Sequence, residues 1–154
     1  KGRAQFCCQL LVEHQLAVIT AARSFKNLRV NASVALAAAR RAAETVAALP
    51  GVIAPFPGGV ARSGSKVGSR YKGLKASTAD AYCPTLRGRV ECKLHPEANA
   101  AYEVVIDGES EAAVGQAMAA AIRSAVGENV VAITAGNYGG KLGKFHFYLR
   151  KLLS

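Results

Sequence analysis

The chain has 154 residues, of which 51% are hydrophobic and 19% are charged. This composition excludes an intrinsically disordered protein and predicts a single domain, residues 1–154, with its own hydrophobic core. The formal net charge of +10 at pH 7 predicts an anionic partner, either a nucleic acid or a small ligand. The longest apolar run, 16–22, is too short to cross a membrane, so we expect a cytoplasmic protein without a membrane partner.

Strand and helix signals alternate along the chain. Apolar, β-branched segments predict strands, and Ala-rich segments predict helices because alanine has the highest helix propensity. Asn31 is expected to cap the first helix, Pro50-Gly51 to end it, and Ser110 to cap the second. The predicted strands cover 6–12, 16–22, 52–54, 100–107, 130–134 and 145–149, and the predicted helices cover 32–49 and 111–125.

This element order contains two strand–helix–strand halves. It predicts an α+β fold, a ferredoxin-like split βαβ sandwich with an antiparallel sheet and two helices on one face. The halves are joined through a long loop, 55–88, which is rich in Gly, Ser and Lys. Compact domains rarely contain an irregular loop of roughly 30 residues unless it has a function. We therefore look for the functional site in this loop.

Many of the positive charges lie in the loop 55–88. They do not line one face of a helix, as the helices that read a DNA groove do. Tyr71 and Tyr82 are its only aromatic residues besides Phe56, which is a small supply for stacking on single-stranded bases. The pattern favours a small anionic ligand over a nucleic acid.

Known motifs for nucleotides, serine nucleophiles and metals are missing from the sequence. It contains no GxxxxGK[ST], GxGxxG or GxSxG pattern. The four cysteines form no C-x-x-C pair, and Cys92 with His95 gives one isolated C-x-x-H. We therefore expect free thiols and no metal site.

Glu103 lies within the predicted strand AAYEVVID. Side chains alternate along a strand, so the bulkier Tyr102, Val104 and Ile106 are expected to face the helices, with Glu103 on the opposite face. If solvent covers that face, Glu103 is an ordinary surface acid. If the loop or another domain covers it, desolvation raises the pKa of the carboxyl and favours a protonated general acid.

Three segments carry a resemblance to a known family: PFPGGVARSGSKVGSRYKGLKASTADAYCPTLRG, YEVVIDG and ITAGNYGGKLG. They resemble the C-terminal half of formylmethanofuran:tetrahydromethanopterin formyltransferases, especially the subunit of the bacterial formyltransferase/hydrolase complex. The resemblance is strongest over 34–153. It implies the distal one of two ferredoxin-like lobes. It also implies formyl transfer between methanofuran and tetrahydromethanopterin, which act as cosubstrates without a metal or prosthetic group.

The resemblance also implies roles for individual residues. Glu103, in the Tyr-Glu dipeptide, matches the catalytic glutamate of the family. Ser65 or Asn137, with backbone amides of the glycine-rich turns, would stabilise an oxyanion, and Lys66 and Arg70 would bind carboxylates of the two C1 carriers. The expected substrate-binding residues are Ser65, Lys66, Arg70, Asp80, Tyr82, Asn137 and Gly139.

Family members also use a second lobe, which these 154 residues do not include. We therefore expect a partner: the missing proximal lobe, further copies of this chain in a homo-oligomer, or other subunits of a formyltransferase complex. Two alternatives remain: a non-catalytic lobe that binds anionic ligands or serves in assembly, and an RNA-binding ferredoxin-like domain. The RNA alternative is disfavoured because the strand VVAIT has no aromatic residue and AAYEVVID has one.

Overall fold

The computed structural model describes residues 13–21, 28–68, 70–71, 78–136 and 145–154. These residues form a mixed arrangement of helices and strands. The strands are β1 Glu13–Ala21, β2 Val52–Ile53, β3 Ala61–Arg62, β4 Ala100–Gly108 and β5 Val130–Gly136. The helices are α1 Leu28–Ala47, α2 Glu111–Ala125 and α3 Leu149–Leu153. Short 3₁₀ turns lie at Pro57–Gly59, Asp80–Tyr82 and Pro84–Leu86.

The strands form a small antiparallel sheet with the order β2-β4-β1-β5, and β3 pairs with β4 beyond the short β2. The long strands β1 and β4 pair from Glu13 with Gly108 to Ala21 with Ala100. The predicted antiparallel sheet is therefore confirmed. Its first strand begins earlier than predicted, and the predicted strand 6–12 lies outside the described residues.

Helices α1 and α2 cover one face of the sheet, as predicted. Both contribute to one core together with Val104 and Ile106 of β4. The side of α1 that enters this core is made of small residues at helical spacing, which lets α1 approach the sheet and α2 closely. These residues are Ala38, Ala39, Ala42, Ala43 and Val46. No helix of the described part of the chain is long and apolar enough to cross a membrane.

The two predicted helix caps had different outcomes. Ser110 is confirmed as the N-cap of α2, since its side chain accepts a hydrogen bond of 3.2 Å from the backbone N–H of Ala113. The prediction that Asn31 caps α1 is wrong, because α1 already begins at Leu28. Leucine and arginine are good helix formers, so Leu28 and Arg29 extend α1 by about one turn before Asn31.

The predicted strand 145–149 is also wrong. Residues 145–148 have no regular structure, and the chain then forms α3. Phe147, Leu149 and Leu152 pack against the core on the helix side of the sheet. The alternation in FHFYL suggested a strand, but the spacing from Leu149 to Leu152 is the i, i+3 spacing of one side of a helix. Contacts with the core therefore overrode the local alternation.

Candidate active site

Glu103 lies in the middle of β4, opposite Ala61 of β3 and Val18 of β1. Its neighbours Val104 and Ile106 belong to the core beneath the helices, so Glu103 stands on the other face, as the alternation predicts. The residue is 0% exposed. The sequence left open whether solvent or protein covers Glu103, and in the structure protein covers it.

The long loop and the segment after it provide the cover. Phe56, at the start of the loop, is fully buried, and β3 adds a short strand to the edge of β4. A second, smaller core forms between the loop and the sheet face that carries Glu103. Its buried members are Phe56, Ala61, Leu94, Ala98, Ala101 and Val105, with Val67, Tyr82 and Val131 packed against them.

A backbone amide of the loop holds the carboxyl of Glu103 in place, and a buried hydroxyl ties two parts of the loop together. The N–H of Ala79 donates a hydrogen bond of 2.9 Å to Oε1 of Glu103. The hydroxyl of the buried Thr78 donates to the carbonyl oxygen of Ser65. These two contacts bring the parts of the loop before and after 72–77 together above β4. Burial favours the neutral carboxyl, whereas the amide of Ala79 favours the anion.

Three of the predicted binding residues lie together at the surface of this cover. The ammonium group of Lys66 is 3.5 Å from Oδ1 of Asp80, and the side chains are 77% and 48% exposed. Ion pairs this exposed are weak, about 0–1 kcal/mol, so Lys66 remains available to an anionic ligand. The hydroxyl of Ser65 donates to the carbonyl oxygen of Arg62 at 2.6 Å. This contact uses the only proton of that hydroxyl.

The other predicted residues are placed differently. The guanidinium of Arg70 lies 4.7 Å from the centre of the Tyr71 ring, on an exposed part of the loop. The backbone N–H of Arg70 donates to the carbonyl of Pro55 at 2.9 Å, which ties this point to the start of the loop. Tyr82 is half-buried against the loop core. Asn137 and Gly139 lie outside the described residues.

Sequence analysis missed three groups near Glu103: the hydroxyls of Ser63 and Thr78 and the amide of Ala79. Ser63 and Thr78 are buried. A possible signal for Ser63 was its place two residues after Ala61, which puts both on one face if the segment is a strand. No local pattern identifies Thr78 or Ala79, since Ala79 is 24 positions away from the carboxyl that it contacts.

The described residues include no group of three His, Cys, Asp or Glu side chains arranged to hold a metal ion. Cys83 is buried and Cys92 is exposed, and both are free thiols. Sγ of Cys83 lies 3.1 Å from the hydroxyl of Thr85. Cys83 also packs against Gly64, which places it within the cover rather than at a reactive surface.

Comparison with protein families matches residues 7–152 to the family model described as "FTR, proximal lobe". The match starts nearer to the N-terminus than the expected 34. A formylmethanofuran–tetrahydromethanopterin formyltransferase from Methylococcus capsulatus is 53% identical over 124 residues, 78% of this chain and 42% of the relative. One of the subunits of the formyltransferase/hydrolase complex from Methylorubrum extorquens is 54% identical over 122 residues, 77% of this chain and 39% of the relative.

Two solved structures are also similar. The formyltransferase/hydrolase complex from Methylorubrum extorquens, solved with methylofuran, gives a TM-score of 0.69 at 46% identity. That comparison covers 91% of this chain and 44% of the other chain. The formyltransferase from Methanosarcina barkeri gives a TM-score of 0.68 at 41% identity, over 89% of this chain and 44% of the other.

These comparisons correct one expectation and set one limit. The matched family model is that of the proximal lobe, so the expected assignment to the distal lobe is wrong. The three resembling segments show which part of the family sequence this chain corresponds to. They do not show whether that part forms the proximal or the distal lobe. The chain also spans less than half the length of the curated relatives that it matches.

Proposed function

Because the chain belongs to the FTR formyltransferase family through its proximal-lobe domain, we propose that it forms part of an enzyme that transfers a formyl group between methanofuran and tetrahydromethanopterin. The observation that carries this proposal is the burial of Glu103. A fully enclosed carboxyl in the middle of a strand is in an environment that penalises its charged form, and in such an environment an acid can keep its proton at neutral pH.

The proposed reaction needs one acid–base group. The nitrogen of the acceptor attacks the formyl carbon of the donor, and the electron pair of the carbonyl bond moves to oxygen. When the tetrahedral intermediate collapses, the bond to the donor nitrogen breaks, and Glu103 gives its proton to that nitrogen. The proton that the attacking nitrogen loses restores the acid. Glu103 can serve both transfers because the carboxylate that the first transfer leaves is the base that accepts the second proton.

The surface of the cover suits an anionic carrier. Lys66 is 77% exposed, and its pairing with Asp80 at 3.5 Å is too weak to occupy it fully. Arg70, also exposed, lies further along the same loop. We assign both side chains to binding negative groups of the C1 carriers. Tyr82, Asp80, Ser65, Asn137 and Gly139 stay assigned to substrate binding as predictions from the resemblance.

We also infer that the fold is the ferredoxin-like split βαβ sandwich. The sheet order β2-β4-β1-β5, the antiparallel pairing and the position of α1 and α2 on one face support this inference. In an RNA-binding fold of this kind, the sheet face opposite the helices is an open platform. Here Ala101, Glu103 and Val105 on that face are buried, which disfavours the RNA alternative.

We further propose that the complete enzyme includes a second lobe and assembles with other copies or subunits. The coverage of less than half of each relative supports a second lobe. One solved relative is part of a formyltransferase/hydrolase complex, which supports the assembly. The alternative of a non-catalytic binding module predicts that the carboxyl of Glu103 has no effect on turnover.

Replacement of Glu103 by Gln in the full-length protein that carries this lobe tests the proposal. Gln keeps the shape of a protonated Glu and an oxygen that can accept from Ala79, but it cannot pass a proton to the leaving nitrogen. Positioned acid–base catalysis contributes roughly 10²–10⁴-fold, so kcat for formyl transfer should fall by that factor. KM should change little, because the carriers are bound by other groups.

Glu128→Gln is the matched control, since Glu128 is exposed beyond the end of α2. This variant should transfer formyl groups at the parent rate. Circular dichroism and the thermal midpoint should show that all three proteins are equally folded. A Glu103→Gln enzyme that works at close to the parent rate would exclude the general-acid role. The non-catalytic alternative would then be favoured.

A further inference from the structure

Ser63 lies on the same side of the sheet as Glu103. The pairing of β3 with β4 places Ala61 opposite Glu103. The N–H of Ser63 donates to the carbonyl of Ala101 at 3.1 Å, so the hydrogen bonding between the two segments continues for one more residue pair. Directly opposed residues of an antiparallel pair share a face, so Ala61 points to the covered side together with Glu103. Because its bond to Ala101 continues this pairing, the buried Ser63, in the turn directly after β3, falls on the same side. Ser63 is the diagonal neighbour of Glu103, at a typical separation of about 7–8 Å.

The hydroxyl of Ser63 has no hydrogen-bond partner among the described residues, although Ser63 is only 1% exposed. Other hydroxyls nearby are occupied: Ser65 donates to the carbonyl of Arg62, and Thr78 donates to the carbonyl of Ser65. A buried hydroxyl without a partner costs roughly 1–3 kcal/mol. Folded proteins rarely retain this cost without a reason, and one reason is a ligand that completes the bond.

We propose that Ser63 is a catalytic residue that donates a hydrogen bond to the oxygen of the formyl group. This inference rests on the proposed formyl transfer and deepens it. It differs from the role expected for Ser65, whose proton is already used within the loop. The proton of the Ser63 hydroxyl is not used in this way.

The separation between Ser63 and Glu103 allows one of them to contact the oxygen of the reacting formyl group and the other to contact the leaving nitrogen. In the tetrahedral intermediate, the oxygen and the leaving nitrogen are bonded to the same carbon. A donor at hydrogen-bond distance from the oxygen and an acid at hydrogen-bond distance from the nitrogen therefore stand several ångströms apart, within the reach of diagonal strand neighbours. A substrate that reaches the buried Glu103 also comes within reach of Ser63.

The role of Ser63 requires no transfer of its own proton. As the acceptor nitrogen attacks, the carbonyl electron pair moves to oxygen, and the Ser63 hydroxyl bonds more strongly to the growing negative charge. The carbonyl re-forms when the bond to the donor nitrogen breaks, and Glu103 protonates that nitrogen. Because the bond is strongest in the transition state, its loss should lower kcat and leave KM almost unchanged.

Ser63→Ala in the full-length protein that carries this lobe is the test, with formylmethanofuran and tetrahydromethanopterin as the substrates. Removal of one oxyanion donor typically lowers kcat by roughly 10²–10³-fold, and we expect a loss in that range with KM within a few-fold of the parent. The thermal midpoint should not fall, because the free protein loses no described hydrogen bond of this hydroxyl.

Ser124→Ala is the matched control. The hydroxyl of Ser124 donates to the carbonyl of Ala121 at 2.9 Å on α2, on the other side of the sheet. This variant should keep the parent kcat, and its thermal midpoint should stay the same or fall slightly. The comparison separates the loss of a serine hydroxyl in general from the loss of this hydroxyl beside Glu103.

Each other result counts against the inference. A Ser63→Ala enzyme with the parent kcat refutes it, and so does a change in KM alone. A fall in the thermal midpoint larger than that of Ser124→Ala would mean that Ser63 has a structural role instead. If the parent protein itself transfers no formyl group, both the proposed function and this inference fail, whereas an active parent with an unimpaired Ser63→Ala variant refutes the inference alone.

Discussion

The close contact between Gly64 and Cys83 gives a sharp prediction about how the cover over Glu103 is built. Gly64 follows Ser63 and has a φ of +81°, a conformation that residues with a Cβ rarely adopt. A Cβ added at Gly64 would lie 2.6 Å from both Cβ and Sγ of Cys83. The first of these atoms belongs to the rigid part of the side chain, so the backbone itself has to move.

The expected cost of Gly64→Ala has two parts. The left-handed backbone costs roughly 1–2 kcal/mol for a residue with a Cβ, and overpacking typically costs roughly 1–3 kcal/mol. We therefore expect the free energy of unfolding to fall by about 2–5 kcal/mol. Denaturant unfolding followed by circular dichroism measures this change, provided that the slope with denaturant concentration stays constant.

Two other glycines of the loop separate the two contributions. Gly58 has a φ of +67° and nothing within 4 Å of the position that a Cβ would take, so Gly58→Ala should show the backbone cost alone. Gly68 has neither a positive φ nor a close neighbour, and Gly68→Ala should be neutral or stabilising by up to about 1 kcal/mol. If Gly64→Ala is no less stable than Gly58→Ala, the close packing of Cys83 on Gly64 does not support the cover.

Two further predictions concern the second helix and the surface of the cover. Ser110→Ala removes the cap of α2 and should lower the free energy of unfolding by about 1 kcal/mol in the same denaturation experiment. Ser110→Asn should restore most of it, and equal stability of parent and Ala variant would argue against the cap. Lys66→Ala should raise KM for the anionic carriers and leave kcat nearly unchanged. The reason is that Lys66 is assigned to bind the carrier equally well in the ground state and in the transition state. Steady-state kinetics at several salt concentrations would check this, and a fall in kcat at constant KM would contradict it.

The sequence predicted those elements whose signals are local. Helix α2 was placed correctly at Glu111–Ala125 because a capping serine and a run of good helix formers lie next to each other. Strand β4 was placed to within one residue, and its two faces were assigned correctly from the sizes of alternating side chains. In both cases the information lies within about ten consecutive residues.

Features that depend on distant contacts were not predictable. Strand β3 has only two residues, Ala61 and Arg62, which is too short to show a period of two. The last helix was mistaken for a strand because Phe147 and Leu152 pack onto a core formed by residues far away in sequence. The cover over Glu103 depends on a contact with Ala79, and no spacing rule connects positions 24 residues apart.

Burial alone does not identify the candidate site. Asp107 lies on the same strand and the same face as Glu103, and it too is 0% exposed. The two carboxyls are about 13 Å apart along β4, since a strand rises about 3.3 Å per residue. Asp107 lies opposite β2, whereas Glu103 lies opposite β3 and beneath the loop.

Glu103 lies close to polar groups of the loop 55–88. The amide of Ala79 contacts its carboxyl, and the buried hydroxyl of Ser63 stands diagonally across the sheet. Sequences that specify one fold normally avoid buried carboxyls and unpartnered hydroxyls, and exceptions tend to lie at functional sites. Glu103 on β4 and Ser63 directly after β3 are two such exceptions beneath the same loop, and this favours one reaction centre over two unrelated defects. This is why Glu103 and Ser63 are assigned to the same formyl group.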